Sequence, residues 1–217
     1  MKITEKKEVM QMQTLLSLVM GYFIGSLNPA KFVAKRHDVN LKETGTGNLG
    51  ATNTALVLGR KAGYFVLVFD MFKSFFSYKL ARIFFPHLAA AGVIACIGVI
   101  IGHAFPIFNG FQGGKGLASF GGLVLAHDPL QFAILLTLGI VMAFLLNYGV
   151  YLAVTAATLF PFFSYLRSGS LKVFLSTGIA SAIVLWLHAG NIRRAITGED
   201  PIHTRDGFKK IFGKKQA

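Results

Sequence analysis

Residues 129–166 read PLQFAILLTLGIVMAFLLNYGVYLAVTAATLFPFFSYL, and no Asp, Glu, Lys or Arg interrupts them. A helix rises about 1.5 Å per residue and a bilayer's hydrocarbon core is about 30 Å thick. The stretch is therefore too long for one crossing and too apolar to face water. Working outward, three more charge-free stretches occupy residues 9–30, 83–114 and 173–192. The whole chain of 217 residues is 53% hydrophobic and only 14% charged, well below the roughly 25% charged of soluble domains. These facts exclude a soluble globular class and predict an all-α, polytopic membrane protein. No water-soluble block separates the apolar stretches, so residues 1–217 are expected to form a single integral membrane domain, with 193–217 as a basic cytoplasmic tail.

Helices are predicted at about 9–30, 62–85, 86–108, within 116–166, and at 170–190. Across 116–166 the only charge is Asp128. His127-Asp128-Pro129 and Asn147-Tyr148-Gly149 are turn signals that divide this region into three short helices, giving about seven transmembrane helices with short loops. Charge parity supports an odd number. The connection after the first span carries Lys35, Arg36, Lys42, Arg60 and Lys61, and the tail carries Arg193, Arg194, Arg205, Lys209, Lys210, Lys214 and Lys215. Both segments belong on the cytoplasmic side by the positive-inside rule, and the Lys115 loop joins them there. Lys2, Lys6 and Lys7 at the other end of span one are partly balanced by Glu5 and Glu8. The N-terminal MKITEKKEVM has no small-residue cleavage site behind it and reads as the start of a retained helix.

A net charge of +13 fits topology and anionic lipid better than nucleic acid, because the cations fall in connections and the tail instead of along one face. The lone cysteine, Cys96, reads as core filler. The histidines are scattered with no Cys/His spacing, so no metal and no organic cofactor are expected.

Three segments carry the chemistry. Residues 45–53, GTGNLGATN, combine glycines with small polar side chains and expose backbone N–H groups to an anion; no Lys-Ser or Lys-Thr makes the loop a nucleotide P-loop. Residues 102–116, GHAFPIFNGFQGGKG, place Gly113, Gly114 and Lys115 directly before an apolar helix, where orphan N–H groups and a full charge favour an anion. His188 and Asn191 lie three apart near the end of the last span, followed by Arg193 and Arg194. Parity brings all three segments to one membrane face, as a site for a phosphate-bearing substrate beside lipid. Within the second span, Asp70 and Lys73 are also three apart and share a helix face, an intramembrane pair fit for a site or for packing.

These blocks, taken in order from GYFIGSLNPAKFVAK through GTGNLGATN, LGRKAG, FDMFKS and GHAFPIFNGFQGGKG to HAGNIRRAITGE, resemble the bacterial acyl-phosphate-dependent glycerol-3-phosphate acyltransferases over nearly the whole chain. The resemblance implies seven helices in the bacterial cell membrane and an active site facing the cytoplasm. It also implies transfer of a fatty acyl group from acyl phosphate to the 1-hydroxyl of glycerol 3-phosphate. The family's first signature maps to Thr46, Gly47, Asn48, Gly50, Ala51, Thr52 and Asn53, which would line the phosphate site. Its second maps to His103, Phe105, Pro106, Gly113, Gly114, Lys115 and Gly116, with Lys115 as a phosphate ligand, and its last to His188 and Asn191. His188 or His103 would accept the hydroxyl proton, unless the leaving phosphate takes it. Leu56 stands where the family carries an arginine, and Asn147–Ala153 lacks the family's serine; Arg60, one turn on, is the candidate substitute, with Arg193 as a further phosphate partner. Those departures keep open a second reading, a degenerate paralogue that binds phosphate or lipid without acyl transfer. A small transporter is disfavoured by the lack of paired repeats or broken helices.

Overall fold

The computed structural model describes residues 3–200 and 203–212, and those residues hold helices without strands. In chain order they are α1 (Ile3–Gly25), α2 (Pro29–Arg36), α3 (Ala51–Leu58), α4 (Arg60–Phe84), α5 (Ala91–Ala104), α6 (Leu117–His127), α7 (Pro129–Leu145), α8 (Val150–Ser168), α9 (Leu171–Thr197) and α10 (Thr204–Phe212), with a 3₁₀ turn at Ile107–Asn109. Lys2, Lys214 and Lys215 lie outside the described residues. Among the described residues, three stretches are long and apolar enough to cross a membrane unaided: Ala91–Asn109, Val150–Ser168 and Leu171–Thr197. The helices α6 and α7 are shorter but apolar, and α1 and α4 are long but carry charges, so the bundle contains about seven membrane-crossing elements.

The 116–166 region divides as expected. Asp128 caps α7, its Oδ1 accepting from the backbone N–H of Leu130 at 2.9 Å and of Gln131 at 3.1 Å, and Pro129 follows at a position that needs no N–H partner. Asn147 turns the chain with φ of 61°. The first connection differs from expectation. The span expected over 9–30 ends at Gly25, and Asn28 starts a separate helix by accepting from the Lys31 N–H at 2.9 Å. A second short helix, α3, occupies Ala51–Leu58. At the other end α9 runs on to Thr197, so Arg193 and Arg194 sit on its last turns instead of in a tail.

The helix α4 is amphipathic in the sense a lipid solvent requires. Asp70, Lys73, Ser74 and Ser77 are buried, while Phe65, Phe69, Phe72, Phe76 and Ile83 face outward. Lys73 pairs with Asp70 at 2.7 Å and donates to the carbonyls of Gly25 at 3.0 Å and Leu27 at 2.9 Å, which closes the carbonyl end of α1. Direct backbone contact joins α1 to α5. A Cβ at Gly21 would lie 1.9 Å from Ala95 O, and one at Gly98 would lie 2.2 Å from Leu18 O. Small residues thus allow the close approach that packing in lipid depends on. The paired positions rise together along both helices, so α1 and α5 run parallel, as spans one and three must.

The central core lies between α5, α6, α8 and α9, where the rings of Phe120 and Phe160 meet edge-on at 5.6 Å. Cys96 is buried in it and donates to Ser74 O at 3.3 Å. One end of the bundle therefore gathers the first connection, the 105–116 loop, the end of α9, and α10. The tail helix is tied there by the N–H groups of Thr204 and Arg205, which donate to Asn147 O at 2.8 Å and to Asn147 Oδ1 at 3.1 Å.

Candidate active site

The loop between α5 and α6 folds back on the helix it leaves. Gly114 N–H donates to His103 O at 3.1 Å, and the Tyr22 hydroxyl donates to Phe105 O at 2.9 Å. No side chain fits at the two glycines: a Cβ on Gly113 would sit 1.9 Å from His103 O, and one on Gly114 would sit 2.3 Å from His103 Nε2 and 2.8 Å from Leu49 O. The glycine loop is thereby wedged between the end of α5 and the first connection. Gly116, with φ of 76°, turns the chain into α6.

This wedge aims Lys115 at α9, where its Nζ donates to Asn191 Oδ1. Lys115 is half-buried, and burial, the Arg194 guanidinium and the Lys42 ammonium hold it below the ordinary lysine range, with Asp200 opposing them. His188 lies one turn before Asn191 and is buried. Its Nδ1 is 2.8 Å from Val184 O. A carbonyl only accepts, so Nδ1 carries a proton, and in the neutral ring Nε2 is then the basic nitrogen.

His103 has a different environment. The Lys73 ammonium donates to the Gly25 and Leu27 carbonyls and forms an ion pair with Asp70 at 2.7 Å. The His103 Nδ1 lies 3.1 Å from that ammonium, which can only donate, and 3.3 Å from Asp70 Oδ1. Its Nε2 then faces Gly114 from below. Asp70, Lys73 and His103 thus form one buried network that supports the glycine loop and the end of α1.

In the first connection Asn53 is wholly buried and spends its amide on the loop itself. Its Oδ1 accepts from Thr46 N–H at 2.7 Å, and its Nδ2 donates to Leu41 O at 2.8 Å and Thr44 O at 3.1 Å. Thr46 and Thr52 are exposed, Gly47 and Asn48 half-exposed. The loop meets the Lys115 segment through Leu49, whose carbonyl fixes the space at Gly114, and through the charge of Lys42. Arg60 and Thr52 line a separate cavity with residues of α4 and α10.

Arg193 is expected from the sequence as a phosphate partner; the arginine whose charge acts on Lys115 is its neighbour Arg194. The signal was available: Arg194 is three residues after Asn191 and shares its face, whereas Arg193 is two after and does not. Lys42 was counted only as a topology charge, because no spacing in the sequence links it to Lys115.

The assembled site has Lys115, under the charges of Arg194 and Lys42, with the Asn191 amide and the His188 imidazole, all at one end of a membrane bundle. Such a set holds a phosphate oxyanion and takes a proton from a neighbouring hydroxyl. The family model described as glycerol-3-phosphate acyltransferase matches residues 15–198. A glycerol-3-phosphate acyltransferase of Alkaliphilus metalliredigens is 34% identical over 87% of this chain and 95% of its own length. One from Aquifex aeolicus is 33% identical over 87% of this chain and 98% of its own. Among solved structures, the glycerol 3-phosphate form of PlsY, an integral membrane glycerol 3-phosphate acyltransferase, superposes with a TM-score of 0.80 at 28% identity, covering 86% of this chain and 94% of that one. The lysophosphatidic acid form gives 0.80 at 26% identity, covering 90% and 98%. With its fold, its site-bearing loops and its relatives in agreement from one end to nearly the other, the chain belongs to the glycerol-3-phosphate acyltransferase family.

Proposed function

We propose that this protein transfers a fatty acyl group from acyl phosphate to the 1-hydroxyl of glycerol 3-phosphate, giving lysophosphatidic acid and inorganic phosphate, at the cytoplasmic face of a bacterial cell membrane. The contact of Lys115 with Asn191 carries this reading, because it joins the glycine loop to the face of α9 that holds His188 and Arg194. The alkyl chain of the donor lies in the bilayer and its phosphate at the cationic end of the bundle.

Acyl phosphate is a mixed anhydride and already activated, so alignment and charge balance are the main requirements. The substrate hydroxyl oxygen attacks the acyl carbonyl carbon. Its proton passes to His188 Nε2, the C–O bond to phosphate breaks, and Lys115 with Arg194 and Lys42 balances the departing charge. The proton then leaves His188 for solvent or for the released phosphate. His188 suits the base role better than His103, whose Nε2 is covered by Gly114. Thr46, Gly47, Asn48 and Thr52 offer hydroxyl, amide and backbone donors for a second phosphate, and Asn53 sets their loop. Leu56 leaves one charge fewer on α3; Lys42 and Arg194 supply cations from other elements.

The test is phosphate release from synthetic palmitoyl phosphate by purified protein, with and without glycerol 3-phosphate. Release that requires glycerol 3-phosphate and drops about 10²-fold or more in Lys115→Ala is expected. No release from folded protein would instead favour a binding paralogue, the reading that Leu56 and the serine-free turn at Asn147 support.

A further inference from the structure

Arg60 and Lys61 open α4 directly after Gly59, and both are exposed, as are Tyr64 and Phe65 in the next turn. Basic residues followed by aromatics at a span's end sit at the headgroup level of a bilayer. Beside them lies a cavity of about 470 Å³. Arg60, Lys61 and Thr52 border it at the start of α4 and in α3, and Leu67, Phe212 and Ile211 contribute to a lining that is mostly apolar. Leu67 is seven residues beyond Arg60, about 10 Å further along the helix axis. The cavity is therefore cationic at the headgroup level and apolar toward the hydrocarbon, which is the polarity of an anionic lipid.

Its outer wall is α10, a helix that lies beyond residues 15–198 matched by the family model. The Phe208 ring lies tilted against Phe212 at 4.8 Å and packs edge-on against Phe144 of α7 at 5.7 Å. Both phenylalanines are also half-exposed, beside outward-facing Leu145 and Leu146. Lys209 and Lys210 are exposed on the same helix. Apolar side chains toward lipid and lysines toward the surface are the signature of an interfacial helix. Its ties to Asn147 hold it over the cavity.

We propose that this cavity binds an anionic membrane phospholipid, its phosphate on Arg60 and Lys61, one acyl chain over Leu67, and α10 closing the outer side. Charge complementarity selects the occupant: a zwitterionic headgroup would bring a third cation against Arg60 and Lys61. Lys115, His188 and Asn191 take no part in the cavity, whereas Thr52, a donor in the proposed acyl transfer, borders it; the inference is therefore read by lipid binding at Lys61 and Phe212, which have no part in that reaction.

The experiment is native mass spectrometry of the full chain released from bilayers holding equal amounts of phosphatidylglycerol and phosphatidylcholine with matched acyl chains. Preferential retention of phosphatidylglycerol by the unaltered protein is expected. Lys61→Ala should lower that occupancy about fivefold, the contribution of one basic residue near a membrane surface. Lys61→Arg should keep it, and Phe212→Ser should lower it without changing the thermal unfolding of the bundle. Equal retention of the two lipids would overturn the proposal, as would undiminished phosphatidylglycerol in Lys61→Ala. Displacement of the lipid by a non-hydrolysable acyl phosphate analogue would also overturn it, since the cavity would then be the donor's.

Discussion

In the proposed mechanism Lys115 holds a phosphate while sitting half-buried with the charges of Arg194 and Lys42 acting on it, and this sets its pH behaviour. Burial, Arg194 and Lys42 disfavour its charged form, so its ammonium is lost at lower pH than in an exposed lysine. The protonated form binds the anion, and activity should therefore fall on the alkaline side as Lys115 deprotonates. Removing one neighbouring cation raises its pKa: the alkaline limb of kcat/KM should move to higher pH in Arg194→Gln, alongside a lower maximum. A limb that stays put or moves down would separate Lys115 from the phosphate. Asn53 gives a second expectation. Its amide makes three hydrogen bonds within the first connection, one of them buried and two part-buried, and leaving a buried partner unsatisfied costs about 1–3 kcal/mol. Asn53→Ala should lower thermal stability in detergent, raise KM for glycerol 3-phosphate, and expose the 41–50 loop to protease. A changed KM with an intact loop would make Asn53 a ligand instead. At this scale the sequence disclosed residue types well and directions poorly. Asn53 reads as a phosphate ligand until its amide is seen turned inward, and nothing in one dimension places Lys42 beside Lys115.

Among elements, those with strong local signals were legible. Asp128-Pro129 starts a helix because a carboxylate caps and a proline needs no N–H, and Asn147 stops one because it tolerates positive φ. Asn28-Pro29 carried the same signal for α2 but was absorbed into a charge-free stretch that already spanned the bilayer. Little in ATNTALVL announces α3, which is bounded by Gly50 and Gly59 and is held by packing on α4: a Cβ on Gly63 would lie only 2.4 Å from Ala55 Cβ. The buried pair on α4 supplies a test of how elements lock together. Asp70→Ala leaves the Lys73 ammonium without its counter-charge, and breaking a buried pair in this way costs about 3–5 kcal/mol. Asp70→Ala with Lys73→Met removes both charges and should recover part of the loss. Full recovery is not expected, because the Gly25 and Leu27 carbonyls lose their donor. A thermal-unfolding cycle of the two single variants and the double variant measures this, and additive losses would show that the pair does not act as a unit.

For the whole molecule, the charge parity read from the sequence has a structural counterpart in helix direction. The paired contacts of α1 with α5 make spans one and three parallel, and Lys115, at the start of α6, reaches Asn191, near the end of α9. Every site-bearing segment therefore leaves the bundle at one end, and the Leu88 and Ser170 connections lie at the other. The single cysteine is buried within the core, so Cys96→Ala provides a background with no reactive thiol at modest cost. On that background, Glu43→Cys, Gln112→Cys and Thr197→Cys should resist a membrane-impermeant maleimide in sealed right-side-out vesicles and react after permeabilisation. His87→Cys and Lys172→Cys should react without it. The first connection's cations and the tail's cations share a side only if the intervening spans are odd in number. Labelling of Glu43→Cys and Thr197→Cys from opposite faces would break that parity and, with it, the possibility of a shared site. Labelling of both from outside would keep the site whole but reverse its membrane face, placing the phosphate end of the bundle away from a cytoplasmic supply of glycerol 3-phosphate.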